Sequence, residues 1–112
     1  MRTDVEITRR PAADLSVQAG VLRALADPMR AAILQLLAGE QLCVCHLQVA
    51  LGAKQTLVSH HLKALRDAGL VDSEPAGRFI YYRLMPGAFD SVRVAVAELA
   101  EASGADLPRR PC

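Results

Sequence analysis

The stretch QTLVSHHLKALRDAGL, residues 55–70, decides the fold. Val58, Leu62 and Leu65 recur at i, i+4 and i+7, which on a helix places them in one inward stripe. Gln55, Thr56, Ser59, His60 and Lys63 fall on the opposite face, and each carries a hydrogen-bonding group. Ala68-Gly69 ends this helix. Residues 70–74 and then RFIYYRL, residues 78–84, read as two strands joined by a turn at Pro75-Ala76-Gly77.

Working outward, LCVCHLQVAL, residues 42–51, reads as a short helix closed by Gly52, directly before the polar-faced one. Earlier still, Leu15, Val21, Leu22 and Leu25 fit a first helix that stops at Asp27-Pro28, because a residue before proline avoids the helical region. Asp27 is then placed to cap a second helix with Pro28 at its first position, carrying the apolar stripe Met29, Ile33, Leu36 and Leu37 up to Gly39. After Met85-Pro86-Gly87, helical periodicity returns with Phe89, Val92, Val96 and Leu99. Residues 1–14 are polar and contain Arg9-Arg10-Pro11, which predicts a flexible arm. Residues 15–103 form the domain, and residues 104–112 a proline-broken tail ending in Cys112.

This order predicts a mainly α fold with a β-hairpin wing, a winged helix-turn-helix. A helix fits the major groove of B-DNA, and short polar side chains in its N-terminal half reach base edges, a role suited to Gln55, Thr56, Ser59 and His60. Lys63, Arg66, Arg78 and Arg83 can neutralise phosphates, with Arg78 just past the hairpin turn where a wing touches the backbone. The competing reading is a helical hairpin whose charged surface merely solvates it.

Composition bounds the rest. A chain of 112 residues supports one small domain. Hydrophobic residues make up 52%, yet no apolar run nears the roughly 20 residues of a membrane helix. The start, MRTDVEITRR, lacks the apolar core of a secretory signal, so a cytoplasmic location is expected. The formal net charge of +1 neither demands nor excludes nucleic acid.

Of three cysteines, two stand one residue apart in LCVCHL, as Cys43 and Cys45. In a reducing compartment such a pair is more often a metal or redox site than a structural disulfide. Thiolates are soft ligands suited to soft ions. Three readings remain open from the residues alone: a metal or metalloid site, a thiol switch that also draws on Cys112, and two small buried hydrophobes. A thioredoxin-like enzyme needs CxxC at a strand-to-helix junction, and the chain has none, so no catalysis is expected.

Four segments, LADPMRAAILQLL, LCVCHL, VSHHLKALRDAGLV and GRFIYYRL, together resemble the ArsR/SmtB family of metal-responsive bacterial repressors, over most of the chain. The resemblance implies a homodimer held by the first and last helices, bound to double-stranded palindromic operator DNA and released when a toxic ion binds. The CVC motif is similar to the ligand motif of the family's arsenic and cadmium/lead sensors. It implies As(III), Sb(III), Cd(II) or Pb(II) as inducer at Cys43 and Cys45, with no organic cofactor. Residues two apart on an ideal helix point about 200° away from each other. Binding is therefore expected to distort the first turn of the third helix.

Departures from the family pattern shape the remaining expectations. Gln48 stands where arsenic sensors of this motif carry a third cysteine, residues 1–14 contain no cysteine, and residues 89–103 contain no histidine for a zinc site. Cys112 is the remaining thiol and the candidate third ligand; the alternative is a two-thiolate site completed by water or a small thiol. His46 replaces the usual aspartate and lies i+3 from Cys43, where it could ligate a borderline ion; because As(III) prefers sulfur, it is expected to face solvent. Lys54 stands where many members have a capping serine; lysine caps poorly, and its cation is expected to reach a phosphate.

Overall fold

Asp27 sets the junction between the first two helices. The computed structural model describes residues 12–112, so most of the expected arm, residues 1–11, lies outside the described residues. Helix α1 spans Ala12–Leu25 and begins three residues before the expected start. Helix α2 spans Pro28–Leu37, and the Asp27 carboxylate accepts from the backbone N–H of Met29 at 2.8 Å and of Arg30 at 3.1 Å. Arg30 reaches back from α2, donating Nε to the carbonyl of Ala24 at 2.9 Å and Nη2 to that of Arg23 at 3.1 Å. The carbonyls at the end of α1 are thus satisfied by the next helix.

The Arg30 backbone N–H chiefly holds the Asp27 carboxyl below its ordinary value. A depressed carboxylate contributes stability above the unfolded-state pKa of about 3.9, and that contribution fades as pH falls through the folded value. Asp27→Ala is expected to lower the melting temperature near neutral pH and to narrow its gap to wild type in acid. Thermal melts at about pH 7 and about pH 3 check this.

Strand β1 is Leu42–Cys43, α3 Val44–Leu51, α4 Gln55–Asp67, β2 Val71–Ala76, β3 Phe79–Leu84 and α5 Asp90–Ser103. The three strands form an antiparallel sheet in the order β1-β3-β2. Two sequence expectations need correction here. Leu42 and Cys43 are not helical: they pair with Tyr82 and Tyr81 of β3, and strand pairing to a distant segment outweighs their local helical pattern. Pro75 and Ala76 lie in β2 rather than in the turn, since Ala76 pairs with Phe79 and leaves Gly77-Arg78 as a two-residue loop. Gly77 supplies the positive φ of 64° that such a loop requires, and Pro75 is tolerated because β2 is an edge strand.

Six fully buried side chains, Ile33, Leu47, Val58, Leu62, Leu65 and Leu70, form the centre of the core. They come from α2, α3, α4 and the residue before β2. The expected stripe of α4 is therefore the part of that helix that packs inward. Gly52 closes α3 in the left-handed conformation at φ 61°, which lets α4 cross it tightly. The arrangement is a winged helix-turn-helix, with α3 and α4 as the helical pair and β2–β3 as the wing.

Candidate functional site

Cys43 is the residue on which strand and helix meet. It is the last residue of β1, and with φ −90° and ψ 171° it is extended and serves as N-cap of α3. The backbone N–H of Cys43 donates to Nδ1 of His46 at 3.2 Å, and the His46 backbone N–H returns to the Cys43 sulfur, forming a capping box with a thiol in place of a hydroxyl.

This geometry corrects the expectation that the helix must distort. The 200° divergence holds when both cysteines are helical. Cys43 lies outside the helix, and its Sγ sits 2.8 Å from Sγ of Cys45, so the two sulfurs already address one point. His46 Nδ1 lies 3.3 Å from Cys43 Sγ, and the three donor atoms are all within 4.8 Å of one another.

The two thiols differ in acidity. Burial raises the Cys43 thiol, but hydrogen bonds from the Cys45 thiol and from the backbone N–H groups of His46, Cys45 and Cys43 outweigh it, and hold the group below its ordinary value. Cys45 is pushed up, first by its hydrogen bond to Cys43. Buried Cys43 is therefore the more acidic of the two thiols and exposed Cys45 the less acidic. Two sulfurs and an imidazole nitrogen are donors that fit a thiophilic ion. Cys112 is exposed at the end of the chain and is not part of this group.

The expected DNA-facing residues are all exposed. Lys54, Gln55, Thr56, Ser59, His60 and Lys63 are exposed on and before α4, and Arg78 is exposed in the wing loop. Lys63 pairs with Asp67 at 3.0 Å and Arg83 with Asp72 at 3.5 Å. Such exposed pairs contribute about 0–1 kcal/mol and exchange readily for another anion. Lys54 makes no side-chain cap, as anticipated; the N–H groups of Leu57 and Val58 close onto its carbonyl at 3.1 Å each. A cleft of about 370 Å³ is lined by Cys43, Cys45, Gln55 and Arg78 among others, so the thiol pair and the first residue of α4 open onto the same space as the wing loop.

Two histidines were only partly legible in the sequence. His46 is exposed, as expected, yet its Nδ1 turns inward onto Cys43; the i+3 spacing from an N-cap was the available signal. His61 is 8% exposed, and its Nδ1 has no hydrogen-bond partner among the described residues.

Comparison with known proteins decides the family. A family model described as bacterial regulatory protein, arsR family, matches residues 27–73. The HTH-type transcriptional regulator NmtR of Mycobacterium tuberculosis is 45% identical over 85 residues, 71% of this chain and 71% of the relative. The chain belongs to the ArsR family. Its ArsR-family match runs from the Asp27 cap into β2, and so contains Cys43, Cys45 and all of α4 but not Arg78. The arsenic resistance transcriptional regulator ArsR1 of Pseudomonas putida is 45% identical over 67 residues, 59% of this chain and 52% of the relative. The chain spans about half the length of several such curated relatives. Among solved structures, a homodimeric winged helix-turn-helix DNA-binding domain from Mycobacterium bovis, a possible ArsR-family regulator, is similar with a TM-score of 0.67 and 32% identity. That likeness covers 91% of this chain and 96% of that one. These ArsR-family relatives are transcriptional regulators rather than enzymes. Among the described residues no helix is long and apolar enough to cross a membrane.

Proposed function

We propose that this chain is a metal- or metalloid-responsive transcriptional repressor. It binds operator DNA as a homodimer in the cytoplasm and lets go when Cys43 and Cys45 take up As(III) or a related soft ion such as Sb(III), Cd(II) or Pb(II). The observation that carries this reading is the shared cleft: the thiol pair opens onto the space bounded by Gln55 and Arg78. Cys43 is also bonded into the sheet through Tyr81, so a change at its sulfur reaches both α3 and the wing.

Gln55, Thr56, Ser59 and His60 are the base-reading residues. Lys54, Lys63 and Arg78 contact phosphates, and the uncapped first turn of α4 adds backbone N–H groups suited to an anion. The dimer is supported by the terminal helices, which pack on each other and leave Leu22, Val94, Val96 and Leu99 exposed. Val96 at 51% and Leu99 at 71% exposure extend an apolar strip that one small domain leaves uncovered. The relatives' names, arsenic resistance regulator among them, support the class of inducer. Beyond the domain of residues 15–103, the tail of residues 104–112 carries Cys112, the remaining thiol available as a third donor.

Fluorescence anisotropy on a labelled palindromic operator, with and without arsenite, tests the proposal. Ser59→Ala and Gln55→Ala are expected to erode operator preference by about 1–3 kcal/mol per lost specific contact. Arg78→Ala should instead weaken binding to every sequence and reduce the salt slope by about one. An unchanged salt slope rejects the phosphate role of the wing. A protein that remains monomeric in sedimentation at micromolar concentration yet binds the palindrome rejects the dimer.

A further inference from the structure

His46 is more than the capping residue of α3. Its Nδ1 accepts the Cys43 N–H, which makes that nitrogen the unprotonated one, and it lies 3.3 Å from Cys43 Sγ. The exposed ring lies beside Tyr81, with 6.0 Å between centroids. Donor atoms around one ion with bonds of about 2.0–2.3 Å lie roughly 3.3–4 Å apart. The spacing here, 2.8 Å between the sulfurs and 3.3 Å from Cys43 Sγ to the nitrogen, lies close to that range, with all three donor atoms within 4.8 Å of one another.

We infer that His46 Nδ1 is the third donor at the cysteine site, completing a set of two sulfurs and one nitrogen that favours a thiophilic divalent cation, Cd(II) or Zn(II), over As(III). The inference rests on the proposed role of Cys43 and Cys45 as ion-binding thiolates. Its chemical basis is donor softness: imidazole suits borderline divalent metals, whereas As(III) takes sulfur. The third position is then filled by a residue of the same helix turn, and Cys112 is not required. Because His46 also caps the helix, turning its Nδ1 to the metal releases the Cys43 N–H and so couples ion uptake to the start of α3.

The test uses the full-length reduced protein and Cd(II) alone. Affinity is followed by cadmium–thiolate absorption against a competing chelator, and donors are identified by X-ray absorption, where imidazole gives its own outer-shell scattering. Glutamine at this position preserves the capping-box acceptor, so His46→Gln removes the imidazole while keeping the helix start. The wild type is expected to show two sulfurs and an imidazole. His46→Gln should lose the imidazole signature and bind Cd(II) on the order of tenfold more weakly or worse, the scale seen even for groups that only support a ligand. Its affinity for arsenite should be unchanged, a selectivity shift that a merely structural role does not produce. Cys112→Ser should match wild type in every respect. An unchanged shell and affinity in His46→Gln, or a sulfur lost in Cys112→Ser, overturns the assignment. Cd(II) binding that survives Cys43→Ser with Cys45→Ser overturns the thiolate-pair reading as well, which separates the two failures.

Discussion

Replacing both Cys43 and Cys45 with serine is expected to abolish the response to a soft ion while leaving operator binding intact. Allosteric couplings of about 1–3 kcal/mol correspond to a loss of operator affinity of about 5- to 150-fold in the wild type, and the double variant should show none of it. Serine is the right replacement for a structural reason. Cys43 is the N-cap of α3, and a serine hydroxyl is among the preferred capping groups, so the helix start survives the change. Cys45 is exposed and contributes nothing to the core. Anisotropy titrations of operator with the wild type and the variant, each with and without arsenite or Cd(II), provide the measurement. A variant that still releases DNA on adding either ion places the inducer site elsewhere.

Leu65→Ala is expected to cost about 2–5 kcal/mol of unfolding free energy, the range for deleting a fully buried leucine side chain. Leu65 is 0% exposed in the core, on the helix α4 that packs on α2, α3 and β2. A small domain holds only about 5–15 kcal/mol in total, so the variant stands near the limit of folding. Urea denaturation at fixed protein concentration measures it, since self-association contributes to apparent stability. A loss below about 1 kcal/mol with an unchanged m-value contradicts the packing described for this helix. The same substitution at exposed Leu99 should leave protomer unfolding nearly unchanged and act on self-association instead.

Periodicity, caps and turn residues made most of the fold legible. The Val58, Leu62 and Leu65 stripe, the Asp27-Pro28 cap and the Gly52 turn are local signals, each set by residues within a few positions of one another, and the structure realises all three. The exposed polar face of α4 followed from the same pattern. Hairpin boundaries were less legible, because Pro75 reads as a turn residue unless it is known that β2 lies at a sheet edge.

By itself, then, the sequence determined the order of elements, the inward and outward faces of α4, and the presence of a thiol pair before it. Only the tertiary structure decided how that pair is arranged. Leu42 and Cys43 leave the helical pattern because β3, far downstream in the chain, offers them strand partners in Tyr82 and Tyr81. That pairing is nonlocal, so no window of sequence around the cysteines contains it. Extending Cys43 out of the helix is what brings its sulfur to 2.8 Å from that of Cys45 and turns His46 Nδ1 onto it, where a helical Cys43 would have pointed away.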